Sequence, residues 1–153
     1  MTIVLTLSVP FRQKAAVVHA ALCNLDQGPQ WMPGLQRIEV LTPGPFAIGT
    51  RWRETRKMFG KEASETFTVT GIEPGKSLSL YCNGREGTSG MGDMNFRMEC
   101  TDTADGSVLN FTGTFDNMGG IVKRLFFRMF KGMFLSAMRK DYLALSAWLD
   151  KTA

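Results

Sequence analysis

At 153 residues the chain suits one domain, 1–153, large enough to bury a core without disulfide or metal staples. An apolar content of 44% and a charged content of 21% are those of an ordinary globular protein, which excludes a disordered or collagen-like chain. The net charge of +4 is spread over mixed stretches such as Lys61-Glu62 and Arg139-Lys140-Asp141, so no polybasic block marks a nucleic-acid partner.

In chain order, residues 2–8 alternate, with Ile3, Leu5 and Leu7 on one side, and read as a strand. Pro10 suits the first turn of a helix over residues 11–24, which Asn24-Leu25-Asp26 breaks or bends into a short second helix. Pro29, Pro33 and Gly34 bracket Trp31-Met32 in a loop, residues 35–41 form a second strand, and the Pro- and Gly-rich residues 42–49 form another loop.

A two-residue hairpin at Phe59-Gly60 pairs Met58 with Lys61. Arg56 then faces Ala63, Glu54 faces Glu65, Trp52 faces Phe67 and Thr50 faces Val69, while the other face (Arg51, Arg53, Thr55, Lys57, Ser64, Thr66) is polar and assigned to water. Glu73-Pro74-Gly75-Lys76 has the residues of a type II turn, which sets Leu80 against Val69 and Cys82 against Phe67. A reversal at Asp105-Gly106 pairs Cys100 with Leu109, Met98 with Phe111, Phe96 with Gly113 and Met94 with Phe115. Three independently placed turns yield one apolar face, and a one-residue slip in any of them would destroy it.

Residues 119–151 read as one amphipathic helix, entered through Gly119-Gly120 and capped by Asp116 or Asn117. Val122, Phe126, Met129, Phe130, Met133, Ala137, Ala144 and Trp148 share a face expected to cover the sheet, with Arg124, Arg128, Lys131 and Arg139 opposite. Charges interrupt residues 121–138 too often for a membrane span.

This order of strand, two short helices, six strands and long C-terminal helix resembles the helix-grip fold of the SRPBCC superfamily, which takes in START, birch-pollen-allergen-like and polyketide cyclase/dehydrase-like proteins. The resemblance spans the chain. It rests on Trp31-Met32-Pro33-Gly34, Ile48-Gly49-Thr50-Arg51-Trp52-Arg53, Phe59-Gly60-Lys61 and Thr70-Gly71-Ile72-Glu73-Pro74. These look like the family's tryptophan–proline loop, its "VGT-aromatic" strand and its "E-P" turn, which are scaffold motifs and not catalytic ones. The resemblance implies an α+β fold, with a curved antiparallel sheet of about seven strands wrapped around the long helix and an apolar cavity between them. The family holds lipid carriers, hormone receptors, aromatase/cyclases and chaperone activators, so the fold does not name a reaction.

The residues narrow the chemistry. His19 is the one histidine and reads as a surface or half-buried helix residue, so no metal site is expected. Cys23, Cys82 and Cys100 lack a base partner and are expected as free thiols in a reducing compartment, with the cytoplasm as the address. No basic leader precedes an apolar run in residues 1–9. No phosphate loop, nucleophile elbow or dinucleotide fingerprint is present, so no cofactor is implied and no catalytic residue is assigned.

Glu54, Arg56 and Glu65 fall on the cavity-facing side. They would hold a polar ligand head or do acid/base work, or else form a structural network neutralised by Arg56. The expected ligand contacts are these three with Trp52, Phe67, Leu80, Met94, Phe96, Met98 and Phe111 from the sheet, and Phe126, Phe130 and Met133 from the helix. Ten Met and eleven Phe make such a surface adaptable. The expected function is binding of a small, largely hydrophobic molecule of lipid, polyketide or aromatic kind. The alternatives are an aromatase/cyclase- or dehydrase-like enzyme using cavity carboxylates, and a non-catalytic interaction module. The basic helix face is either solvated or meets anionic membrane headgroups.

Overall fold

The computed structural model describes residues 2–152 apart from 59, 117 and 118. Alternation shapes the first strand, β1 (Ile3–Phe11), which buries Leu5, Leu7, Val9 and Phe11 and turns Val4, Thr6, Ser8 and Pro10 outward. The strand thus runs through Pro10, which the sequence reading placed in a helix. Because β1 lies at a sheet edge, the missing proline N–H leaves only one neighbour to satisfy.

Helix α1 (Ala15–Leu22) follows, then a 3-10 turn (Leu25–Gln27) whose Asn24 side chain accepts from the Asp26 N–H at 3.1 Å, and the short α2 (Gly28–Trp31). Trp31 therefore ends a helical turn rather than lying in the expected loop. His19 is buried and not superficial. The Gly75 N–H donates to its Nδ1 at 3.2 Å, and its Nε2 lies 2.7 Å from the Ser77 carbonyl, which clamps α1 to a distant turn.

That turn joins β4 (Lys61–Glu73) to β5 (Ser77–Cys82). It is the type expected, with the Lys76 N–H on the Glu73 carbonyl at 2.9 Å and Gly75 at φ +70°, where a side chain would be strained. With β2 (Leu35–Val40), β3 (Arg51–Met58), β6 (Asp93–Thr103) and β7 (Gly106–Asp116), the strands form one antiparallel sheet in the order β1-β7-β6-β5-β4-β3-β2.

The register is that set by the turns: Glu54 opposite Glu65, Trp52 opposite Phe67, Leu80 opposite Val69, Phe96 opposite Gly113. Residue 59 of the β3–β4 hairpin and the candidate cap Asn117 lie outside the described residues. The β3–β4 outer face is drier than expected, with Thr55 and Thr66 buried. The Arg53 side chain lies over Thr66, donating to its Oγ1 at 3.2 Å, and the Thr55 and Ser64 hydroxyls bond each other at 2.8 Å.

Helix α3 (Ile121–Thr152) crosses the concave side, but on a different face from the one expected. Phe127, Phe134, Asp141, Tyr142, Leu145 and Leu149 are buried, whereas Val122, Phe126, Met129 and Met133 are exposed. The buried stripe is the expected one moved on by one residue, about 100° around the axis. The N-terminal half of the helix is apolar on almost every side, so its composition fits either phase. Packing decides: Phe115 takes Phe127 at 4.8 Å and Phe134 at 5.2 Å between ring centres. All three cysteines are free, and among the described residues no helix is long and apolar enough to cross a membrane.

Candidate functional site

Between the sheet's inner face and the second half of α3 lies a cavity of about 400 Å³. Its floor follows from strand alternation. Trp52 (β3), Phe67 (β4), Leu80 (β5), Met94, Phe96 and Met98 (β6) and Phe111 (β7) all project to one side and line it. Several of these rings meet in series: Trp52 stacks on Phe67 at 5.3 Å, Phe67 meets Phe96 at 6.2 Å, and Phe96 meets Phe111 at 5.4 Å. The roof is Phe134, Ala137, Met138 and Tyr142 from α3, and one wall is Leu22, Leu25, Trp31 and Met32 from the helical segment.

Ten of the thirteen residues expected to contact ligand, including Glu54, Arg56 and Glu65, therefore line one cavity. Phe126, Phe130 and Met133 do not. They correct with the phase of α3, since Phe126 and Met133 face out and Phe130 is half-buried beside Phe126, ring centres 4.4 Å apart.

The polar end of the cavity is a three-residue network with one member the sequence reading missed. Glu54 is buried on β3, and its neighbour two residues on, Arg56, binds it through Nε. The Arg56 Nη1 donates to Asp141 Oδ2 at 2.5 Å, joining the sheet to α3. Trp52 Nε1 donates to the free Glu54 oxygen at 3.4 Å.

Burial works against the Arg56 charge, yet the two carboxylates more than offset it and raise its pKa above the ordinary arginine range. For Asp141, burial raises the pKa and the Arg56 charge pulls part of that rise back. With both acids bound to one guanidinium, neither is a free general base. Asp141 was missed because it follows Arg139-Lys140, which reads as a solvated stretch. Only the correct helix phase puts it in line with Phe134 and Leu145.

Glu65, expected to share Arg56 with Glu54, is not in that network. Its Oε1 accepts from the Ser89 N–H at 3.3 Å, and its Oε2 is buried without a hydrogen-bond partner. The β5–β6 connection, residues 83–92, covers it by continuing along β4 beyond the end of β5: the Thr88 N–H bonds the Ser64 carbonyl at 2.8 Å, and Ser64 N–H returns to Thr88 Oγ1 at 2.8 Å. Gly87 makes this approach possible, since a Cβ there would lie 1.8 Å from Glu65 Oε2.

Burial raises the Glu65 pKa, offset only in part by Ser89 and the Arg53 charge. A carboxyl with a raised folded pKa contributes less and less stability as pH rises from its ordinary value near 4.5 through the folded one. Glu65→Gln is therefore expected to raise the unfolding midpoint at pH 8, with the gain vanishing near pH 4; urea titrations at both pH values check this.

A second unpaired polar atom belongs to Trp31, whose indole Nε1 is buried without a partner. Among the described residues no group of His, Cys, Asp and Glu is placed to hold a metal ion. Burial pushes the Cys23 and Cys100 thiols up to about 11 and Cys82 higher still, so none is a ready nucleophile.

A family model described as "Polyketide cyclase / dehydrase and lipid transport" matches residues 2–147. Among curated proteins nothing matches. Solved structures give the same fold at low identity. The di-domain ARO/CYC StfQ from the steffimycin biosynthetic pathway is 10% identical with a TM-score of 0.78, over 99% of this chain and 52% of that one. TTHA0849 from Thermus thermophilus is 11% identical with a TM-score of 0.78, over 100% and 99% of the two chains. Ara h 8.0201 is 16% identical with a TM-score of 0.67, over 95% and 99%.

Proposed function

From a chain that belongs to the polyketide cyclase/dehydrase and lipid transport family, within the SRPBCC superfamily, we propose a carrier that holds one small, mostly apolar molecule between sheet and α3. The family and fold support a hydrophobic-ligand or cyclase role in general. The observation that favours a carrier is the cavity itself: about 400 Å³, walled by aromatic rings and Met side chains, with polar groups gathered at one end. A flexible Met94-Met98-Met32-Met138 lining suits a ligand of variable shape. The unpaired Trp31 N–H, on a residue of the cavity wall, suits a ligand with a carbonyl, because a buried donor left unpaired is stabilised by such a partner.

The test is binding of a fluorescent apolar probe, with native mass spectrometry to count bound molecules. Ala137 lines the roof from α3, so a larger side chain there takes up part of the cavity. Ala137→Phe is expected to fill the space and weaken probe binding at least ~tenfold, the affinity equivalent of losing one apolar side chain's burial. Uptake unaffected by Ala137→Phe would place the probe elsewhere and sink the carrier reading. The cyclase reading draws on one feature, the raised pKa of Glu65, which suits a general acid. Turnover of a polyketide substrate that is lost in Glu65→Gln would favour it over the carrier.

A further inference from the structure

We infer that the first half of α3 docks on an anionic lipid surface, lying in the plane of the headgroups with its outer face among the acyl chains. The inference goes beyond the cavity, since this face is on the other side of the helix and does not line it.

The helix is two-sided here. Phe127 and Phe134 anchor it to the sheet through Phe115. Opposite them, Ile121, Val122, Leu125, Phe126 and Met129 are between 56% and 79% exposed, and Met133 is 42% exposed. A contiguous apolar stripe of this kind, exposed and, among the described residues, uncovered by any other element, marks an interaction site.

Charge selects the partner. Residues 121–140 carry six Lys or Arg and no Asp or Glu. At about 100° per residue, Lys123 lies on one flank of the apolar stripe and Arg128 on the other, with Arg124 and Lys131 beyond Arg128. Basic side chains flanking an apolar arc let their stems lie along the acyl chains while their heads reach phosphates. A partner protein or a second copy of this chain would instead need acids facing this stripe, and the corresponding stretch of a second copy is equally basic.

The experiment is flotation of the full chain with vesicles of phosphatidylglycerol and phosphatidylcholine in equal parts, against pure phosphatidylcholine vesicles. Binding to the first but not the second, weakened by salt, is expected. Removing one flanking charge by Lys123→Ala or Arg128→Ala should cost roughly fivefold in partition. Phe126→Glu with Met129→Glu should cost more than ~tenfold. Val40→Gln, an exposed apolar residue on the edge strand β2, should change nothing. Because Phe126 and Met129 are exposed, the fold should survive, and the gentler pair Phe126→Gln with Met129→Gln serves if thermal melts show otherwise. Probe uptake by the cavity, measured in parallel, should persist in every docking variant, so a failure here is distinct from a failure of the carrier reading. The inference is overturned if anionic vesicles do not float the protein at low salt. It is overturned equally if the paired glutamates leave flotation unchanged, which is adsorption by charge alone. A dimer that dissolves on Phe126→Glu without any vesicle binding would assign the stripe to a second copy.

Discussion

Arg56→Met should lower stability by about 3–5 kcal/mol at neutral pH, the usual cost of removing one partner from a buried ion pair. The guanidinium is 19% exposed in its side chain and serves two carboxylates, Glu54 and Asp141, of which both are almost fully enclosed. Methionine keeps the stem and its packing, so the loss is electrostatic. The two acids are left facing an apolar space and each other. For Asp141, the Arg56 charge and hydrogen bond now hold down a pKa that burial raises; without them the rise is larger.

The sign follows. An acid whose folded pKa exceeds its unfolded value binds more protons when folded, so stability falls as pH climbs from about 3.8 through the folded value. The deficit of Arg56→Met relative to the parent should therefore be largest near pH 8 and shrink toward pH 4–5. Adding Glu54→Gln and Asp141→Asn should restore much of the loss even at pH 8, since the uncompensated charges are then gone. Urea unfolding of all three proteins at pH 5 and pH 8 measures this. Parallel pH curves for parent and Arg56→Met would mean the network is open to water.

Phe134→Ala should be the next most damaging change, at about 2–4 kcal/mol in ligand-free protein, or a thermal shift of roughly 5–15 °C. The ring is nearly buried, edge-on to Phe115 at 5.2 Å and stacked over Phe96 at 6.5 Å. The cost should stay below that of a phenylalanine in a solid core, because one side of the ring borders the cavity and the new space joins an existing one. Phe130→Ala, half-buried and outside the cavity, should cost under about 1 kcal/mol. A larger loss at Phe130 than at Phe134 would mean that α3 is turned one residue back, onto the expected face.

The contrast between Phe130 and Phe134 also marks where the sequence stops being readable. In the strands, period two leaves only two choices, and turns such as Pro74-Gly75 remove one of them, so the Glu54–Glu65 and Phe96–Gly113 pairings can be counted from the turns. In α3 nothing local plays that part. Phe126 and Phe127, Met133 and Phe134 are neighbours of equal apolarity, and which of each pair goes inward depends on Phe115 and on Arg56, contacts more than ten residues away in sequence. The same limit explains the polar network. Register brings Glu65 opposite Glu54, but register does not say which way the Arg56 side chain swings, and it swings to the helix. His19 escaped for a similar reason, because the Gly75 N–H and the Ser77 carbonyl that it meets lie 56 and 58 residues away in sequence. Which apolar residues of the helix's first half face outward depends on that phase as well: with the expected stripe buried, Phe127 and Phe134 would stand outside in place of Phe126 and Met133.

The alternation of the strands has a consequence for how such a protein changes over generations. Met94, Phe96 and Met98 point into the cavity while Asn95 and Arg97 between them point away, so one set can drift without disturbing the other. Exchanging Met98 or Phe67 redraws the cavity's outline at the scale of single methylenes, and the turns that set the register stay as they are. Arg56 has no such freedom. It holds a strand to a helix through two acids at once, and a descendant can replace it only by replacing Glu54 and Asp141 in the same lineage. The shape of the apolar end of the cavity can therefore shift by single steps, whereas its polar end is inherited as a block.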